Sequence, residues 1–436
     1  MEANQSHYEY AGSKFNEYTK LKIFKSSVEE KIKYFGEEDN FVDYYENLIT
    51  KYRGDKATIK KINEVFFEHI VYGRLTNIYL YNTKTSKVSK EIFYKRVETL
   101  IDEFKVNLTN SIHHLLNKKG FYLMDSINVS KPGANFIAAY DCQEHGEEIS
   151  GARFLFGRNV FRKKSDQVKT EYLLGAVEIN FINKTFIIYT KNPVGLSNDL
   201  ENDEDDLDEN NKYSVFNFHN YLKEKVSLLL GITLEETSSA NDQKGMYKFC
   251  KNLFDILMDD SKKLVFENTN DLIKRNVKQL TRKLGEIGTA PTHNEISNLE
   301  KKLEALLLGV YVSTNMDEKT LRLKARELSL IGYPTKINYK NSRTNRSSTG
   351  TSTAKRPIAS SDTLYSLLTD FENTKKLDKW SMSWFFDLDD DEDDDVIQTT
   401  IEAKKHYLKV TLLATRHHNK EIIHHVIRNI NNYRGN

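Results

Sequence analysis

The sequence predicts an α+β protein of several domains, on three observations. Apolar residues recur at three- and four-residue spacing through most of residues 14–118 and again from residue 215, which is the helical period. Between residues 135 and 190 the period changes to short β-branched and aromatic runs separated by turn residues. The chain has 436 residues, which at about 100–200 per domain makes two or three domains, each able to bury its own core.

The elements follow in order. Helices are expected at residues 28–35, 41–51, 59–73 and 92–116, the last with Val97, Leu100, Ile101, Phe104 and Leu108 on one face and Gly120 as its C-terminal stop. Strands of an antiparallel sheet are expected at 135–141, 152–157, 172–182 and 184–190, with Asn183-Lys184 as a tight hairpin turn. Helices resume at Val215 and continue at 247–258, 273–284, 295–308 and 317–330, the last with Asn315 or Asp317 as cap. Trp380, Met382, Trp384 and Phe386 alternate with Ser381, Ser383 and Phe385, as in a strand with one apolar face. Strands at 396–403 and 407–414 and a helix at 419–431 complete a C-terminal β-β-β-α unit. The five prolines, Pro132, Pro193, Pro291, Pro334 and Pro357, all lie where the pattern changes. The expected organisation is a helical region at 1–120, an antiparallel β-sheet region at 121–198, an acidic linker at 199–212, central helices at 213–312, a helix–basic loop–helix at 313–375 and the β-β-β-α unit at 376–436.

Composition excludes several classes. With 39% hydrophobic and 29% charged residues, and no apolar run near the ~20 residues a membrane helix needs, no membrane partner is expected. The N-terminus shows no secretory pattern. Two cysteines, Cys142 and Cys250, make one bridge at most, so a reducing cytoplasm is the expected setting. The abundance of Asn, Lys, Ile and Tyr fits an AT-rich bacterial genome.

The formal net charge of +1 hides an uneven distribution. Residues 199–209 carry eight acids in eleven and residues 387–395 eight in nine, and the rest of the chain stands at +17. Such a surplus attracts a polyanion. The most lopsided stretch, residues 328–361, has no acid in 34. It carries Lys336, Lys340, Arg343, Arg346, Lys355 and Arg356, interleaved with hydroxyls including Ser347, Ser348 and Thr349. Cations and hydroxyls are the groups that bind phosphate oxygens. Its helical flanks suggest a winged-helix element near 317–372, with Asp362 capping the second helix. The competing reading is a solvated surface loop. No Walker A loop is present, and Gly285 and Gly288 are too sparse for a dinucleotide fingerprint.

Catalytic candidates are weaker. Asp141, Glu171 and Glu178 lie on expected strands and would serve a metal-dependent nuclease, but Asn180 stands where such a strand needs lysine. Alternation makes Glu178 the polar face of a strand instead. His417, Glu421 and His424 fall on one helical face if the last helix starts a turn early, a weak metal set. Ile422, Ile423, Val426, Ile427 and Ile430 oppose them, so the histidines are expected to face water. The acidic run at 387–395 lacks the Gly and spaced Glu of a calcium loop.

The resulting expectation is a non-catalytic nucleic-acid-binding subunit without a cofactor. It would bind DNA in the first place and other protein subunits besides, in a bacterial DNA-processing or antiviral defence system. The alternatives are a nuclease using Asp141, Glu171 and Glu178, and a pure protein–protein assembly subunit.

Overall fold

The computed structural model describes residues 8–164, 167–191, 215–236, 238–340, 346–351, 353, 355–385, 396–413 and 417–434. Both acidic runs and Arg343 lie outside them. The fold is α+β, and the chain divides into two compact units, Met1–Glu236 with Thr415–Ile423, and Thr237–Ala414 with His424–Asn436.

The first unit opens with three helices, α1 (Leu21–Ile32), α2 (Phe41–Lys51) and α3 (Lys56–Arg74). Asn40 caps α2 by accepting the Asp43 N–H, and Asp55 caps α3 by accepting the N–H groups of Ala57 and Thr58. Their apolar faces meet in an aromatic cluster in which Phe24, Phe41, Tyr45 and Phe66 pack with ring centroids 5.1–6.4 Å apart. Then come β1 (Asn77–Asn82), α4 (Lys90–Lys105), β2 (Phe121–Tyr122), β3 (Asn135–His145), β4 (Glu148–Lys164), β5 (Gln167–Asn180), β6 (Thr185–Thr190) and α5 (Val215–Leu230). The strands form an antiparallel sheet in the order β2-β3-β4-β5-β6-β1. Helix α3 lies over the face that carries Arg153 and Glu178, and α4 and α5 over the other, where Phe104 meets Phe156 and Gly175 lies beneath Phe218 and Leu222.

The second unit holds α6 (Ser239–Ile287), α7 (His293–Asn315), α8 (Glu318–Glu327), β7 (Gly332–Lys340), β8 (Arg346–Gly350), α9 (Asp362–Thr374), β9 (Lys379–Phe385), β10 (Val396–Ala403) and β11 (Leu408–Leu412). The last helix, α10 (Lys420–Asn431), is divided by the partition at Ile423. The five strands form an antiparallel sheet in the order β11-β10-β9-β7-β8. Phe249 of α6 packs edge-on against Trp380 and Trp384, and Asp242 pairs with Arg434 in the buried interior.

Several expectations are corrected here. Residues 14–118 are not all helical, because Asn77–Asn82 forms β1; five of its six residues are buried, so no alternation marks it. The helix expected to reach residue 116 stops at Lys105, and Asn110–Leu115 is a 3₁₀ turn. The helices expected at 247–258 and 273–284 are one 49-residue helix, α6. Asp317 caps α8 by accepting the Thr320 N–H, but Asp362 does not cap α9, whose N-cap is Ser361 without a side-chain bond. In the basic segment β7 is hydrogen-bonded to β9 on one side and to β8 on the other, so its strands form the edge of a sheet.

Candidate functional site

The basic segment is organised by strand alternation. Lys336 stands opposite Gly350, Asn338 opposite Ser348, and Lys340 opposite Arg346, all at positions of one face. Ile337, Tyr339, Ser347 and Thr349 occupy the other, where Tyr339 packs on Phe371 of α9 and Ile337 and Thr349 are buried. Lys336 and Ser348 are exposed, and Ser348 and Asn338 are hydrogen-bonded to each other across the hairpin. The register carries this face onward, with Lys336 opposite Ser381, Ser381 opposite Thr400, and Thr400 opposite Thr411. The next row reads Asn338, Lys379, Glu402 and Lys409. Glu402 is the one acid among the described residues of these two rows, and Lys379 and Lys404 neutralise it at 2.6 and 3.1 Å.

The expected phosphate set is therefore divided. Lys336, Lys340, Arg346 and Ser348 share one face. Thr349 is buried on the opposite face and its hydroxyl has no hydrogen-bond partner among the described residues, and Ser347 lies half-buried near it. Lys355 and Arg356 lie beyond the hairpin, both exposed, with Arg356 ion-paired to Glu318 of α8.

The nuclease candidates are also redistributed. Asp141 and Glu178 lie on either side of Arg153 in one row across β3, β4 and β5. Glu171 is seven residues along β5 from Glu178, so it is on the opposite face and about 23 Å away. The meeting of Asp141 and Arg153 depends on a β-bulge between Ile137 and Ala139, which moves Asp141 from the α4/α5 side to the α3 side. Arg153 donates to both carboxylate oxygens of Asp141 at 2.9 and 2.7 Å, to Glu68 at 2.7 Å and to Glu64 at 3.1 Å. Burial raises the Glu68 carboxyl, but the Arg153 hydrogen bond and the charges of Lys420 and Arg153 outweigh it and hold the group down at about 2. Tyr72 and Tyr189 both donate to one oxygen of Glu178, at 3.0 and 2.8 Å. Asn180, at the position a nuclease would give to lysine, accepts the Asn183 N–H and closes the β5–β6 turn. Arg153 grips Asp141 at both oxygens and Tyr122 donates to one of them at 2.7 Å, so this row is an ion-pair and hydrogen-bond network.

The histidine expectation is corrected. Helix α10 starts at Lys420, so His417 is not on one helical face with Glu421 and His424. Nor does His417 face water. Its ring lies against that of His69, with centroids 3.9 Å apart and planes tilted by 33°, and its Nε2 donates to the His69 carbonyl at 3.1 Å. His69 Nε2 accepts the Lys20 backbone N–H at 3.0 Å, so the proton of the neutral His69 ring sits on Nδ1, a buried atom without a hydrogen-bond partner among the described residues. A Cβ on Gly73 would fall 1.9 Å from the His417 ring, so glycine makes room for the pair of rings. Burial, with Arg74 and Lys20 nearby, pushes the His417 imidazole down to about 4 against its two backbone hydrogen bonds. His418 is buried, and His424 and His425 are partly buried. Among the described residues, no group of three or more His, Cys, Asp or Glu side chains is placed to hold a metal ion. Also among the described residues, no helix is long and apolar enough to cross a membrane.

Sequence reasoning missed the Arg153 network, because its partners come from residues 64, 68, 141 and 153 and a bulge sets their register. No protein-family model matches the chain, and no curated protein and no solved structure matches it.

Proposed function

We propose that this protein is a non-catalytic nucleic-acid-binding subunit, acting in the cytoplasm within a multi-protein bacterial DNA-processing or defence assembly. The β7–β8 edge hairpin is its phosphate-contacting element. One observation carries the reading: strand register gathers Lys336, Lys340 and Arg346 with Ser348 and Asn338 on one face of a sheet edge, within 34 residues that hold no acid. Cations supply attraction to phosphate, and hydroxyl and amide groups supply short-range hydrogen bonds. A two-stranded ribbon is narrow enough to lie along a groove or a backbone track. Phosphate contacts carry no sequence information by themselves, so binding is non-specific.

The Asp141 carboxylate, bonded to Arg153 through both oxygens, favours binding over cleavage. The test is a labelled duplex or single strand titrated with the protein, with and without Mg²⁺ or Mn²⁺, followed by a denaturing gel. The reading predicts binding and an intact strand. Cleavage that disappears in Glu178→Ala or Asp141→Ala would transfer the function to the nuclease alternative, and absence of binding at low salt would leave the assembly role.

A further inference from the structure

Strands β4 and β5 run past the sheet they belong to. Among the described residues, β3 pairs with β4 no further out than Arg158, and β6 pairs with β5 no further out than Gly175. Strands β4 and β5 stay paired beyond that, from Val160 opposite Glu171 to Lys164 opposite Gln167. These last five pairs form a two-stranded ribbon, an element that is marginal in water without a third strand or a packed face. Residues 160–170 hold Arg162, Lys163, Lys164 and Lys169 against one acid, Asp166.

Register sorts these cations. Arg162, Lys164, Gln167 and Lys169 occupy positions of one face, with Val160 and Glu171 at its root. Phe161, Lys163, Val168 and Thr170 occupy positions of the other. Arg162 stands directly opposite Lys169, and Glu171 is diagonal to Arg162. Three cations and one acid leave the first face at +2. Like charges directly opposite destabilise a strand pair. A marginal ribbon that keeps an opposed Arg and Lys breaks a local rule of sheet stability, and such breaks mark functional positions. An anion lying over the face removes the conflict.

The face also selects the class of anion. Its one apolar residue, Val160, is buried, and the exposed aromatic, Phe161, belongs to the opposite face. A protein interface needs apolar or aromatic anchors, which this face lacks. A phosphodiester backbone needs charge and hydrogen bonds, which Arg, Lys and Gln supply. Positions of one face repeat every ~6.8 Å along a strand, twice the ~3.4 Å per phosphate along one strand of a duplex.

We propose that the β4–β5 ribbon is a second nucleic-acid contact of this protein, with Arg162, Lys164, Gln167 and Lys169 set against the phosphate backbone. It shares its class of ligand with the proposed function but rests on different residues, so either element can fail alone.

Salt-dependent binding of a labelled duplex to the full-length protein tests it. The variants are Lys164→Glu with Lys169→Glu in the ribbon, and Lys336→Glu with Arg346→Glu in the hairpin. The ribbon variant is expected to bind at least about tenfold more weakly at about 50 mM salt, with the log–log slope reduced by about two. Lys169→Glu sets opposite charges across the pair with Arg162, so the urea midpoint should not fall below that of wild type. Lys164→Gln with Lys169→Gln removes charge without reversing it and should weaken binding in the same direction. Ribbon variants that bind as wild type would overturn the proposal and leave these cations as guards of an open sheet edge, whatever the hairpin variant does. Loss in the ribbon variant beside an unaltered hairpin variant would keep the ribbon and remove the hairpin. A wild type that does not bind the duplex at low salt would overturn both. Poly-glutamate or phosphatidylserine-rich vesicles bound more tightly than the duplex, and lost in the ribbon variant, would overturn the proposal in favour of an acidic protein or a membrane.

Discussion

At the scale of single residues, charge pairing and imidazole burial decide the most. Arg153 is 8% exposed and holds three carboxylates, those of Asp141, Glu68 and Glu64. Removing it strands buried negative charge, so Arg153→Met should cost about 3–5 kcal/mol in urea unfolding, far more than a surface substitution. A cost under about 1 kcal/mol would show that water already reaches the site. His417 and Glu68 both make the first unit sensitive to acid. An unfolded histidine gains a proton near pH 6.5, but His417 resists until about pH 4, so its contribution is full above 6.5 and is lost as pH falls toward 4. Glu68 acts at lower pH, its contribution present above its ordinary value of 4.5 and lost as pH falls through about 2. Urea midpoints should therefore fall between pH 7 and pH 4, and His417→Gln should flatten that fall. An unchanged slope in the variant would mean that the histidine pair does not titrate there. Of these residues the sequence showed only types. Glu178 read as an ordinary polar strand position, whereas two tyrosine hydroxyls hold it. Nothing local announces the bulge after Ile137 that aims Asp141 at Arg153.

At the scale of elements, the pattern was legible where amphipathic alternation was strong and failed where burial was two-sided. The caps at Asn40, Asp55 and Asp317 and the capping box of Thr292 and Glu295 follow from side-chain chemistry that any N-terminus rewards. Strand β1 is buried on both faces and sits directly after α3, so its Ile-Tyr-Leu-Tyr core resembles a helix end as much as a strand. The apolar face of α6 rotates along its length, from the side packed on the sheet to the side packed on α7, so its two halves read as separate helices. The basic segment read as a loop or wing because Ser, Thr and Gly dominate it. In fact its β8 strand is five residues long, polar and at the sheet edge, which also discourages pairing with other chains. Alternation then separates the hairpin's phosphate candidates: Ser347 and Thr349 fall on the inner face, toward α9.

At the scale of the whole molecule, a net charge near zero conceals +17 outside two acidic runs. That arithmetic was available from the sequence, as was the α+β class; what it did not contain was how strand register selects which cations share a face. If Lys336 and Arg346 belong to a phosphate-binding surface, binding must depend on salt through them. Affinity of wild type for a labelled duplex should fall linearly on a log–log plot between about 50 and 200 mM salt, and Lys336→Glu with Arg346→Glu should weaken binding for every sequence and reduce that slope by about two. A double variant with wild-type affinity and an unchanged slope would contradict the account.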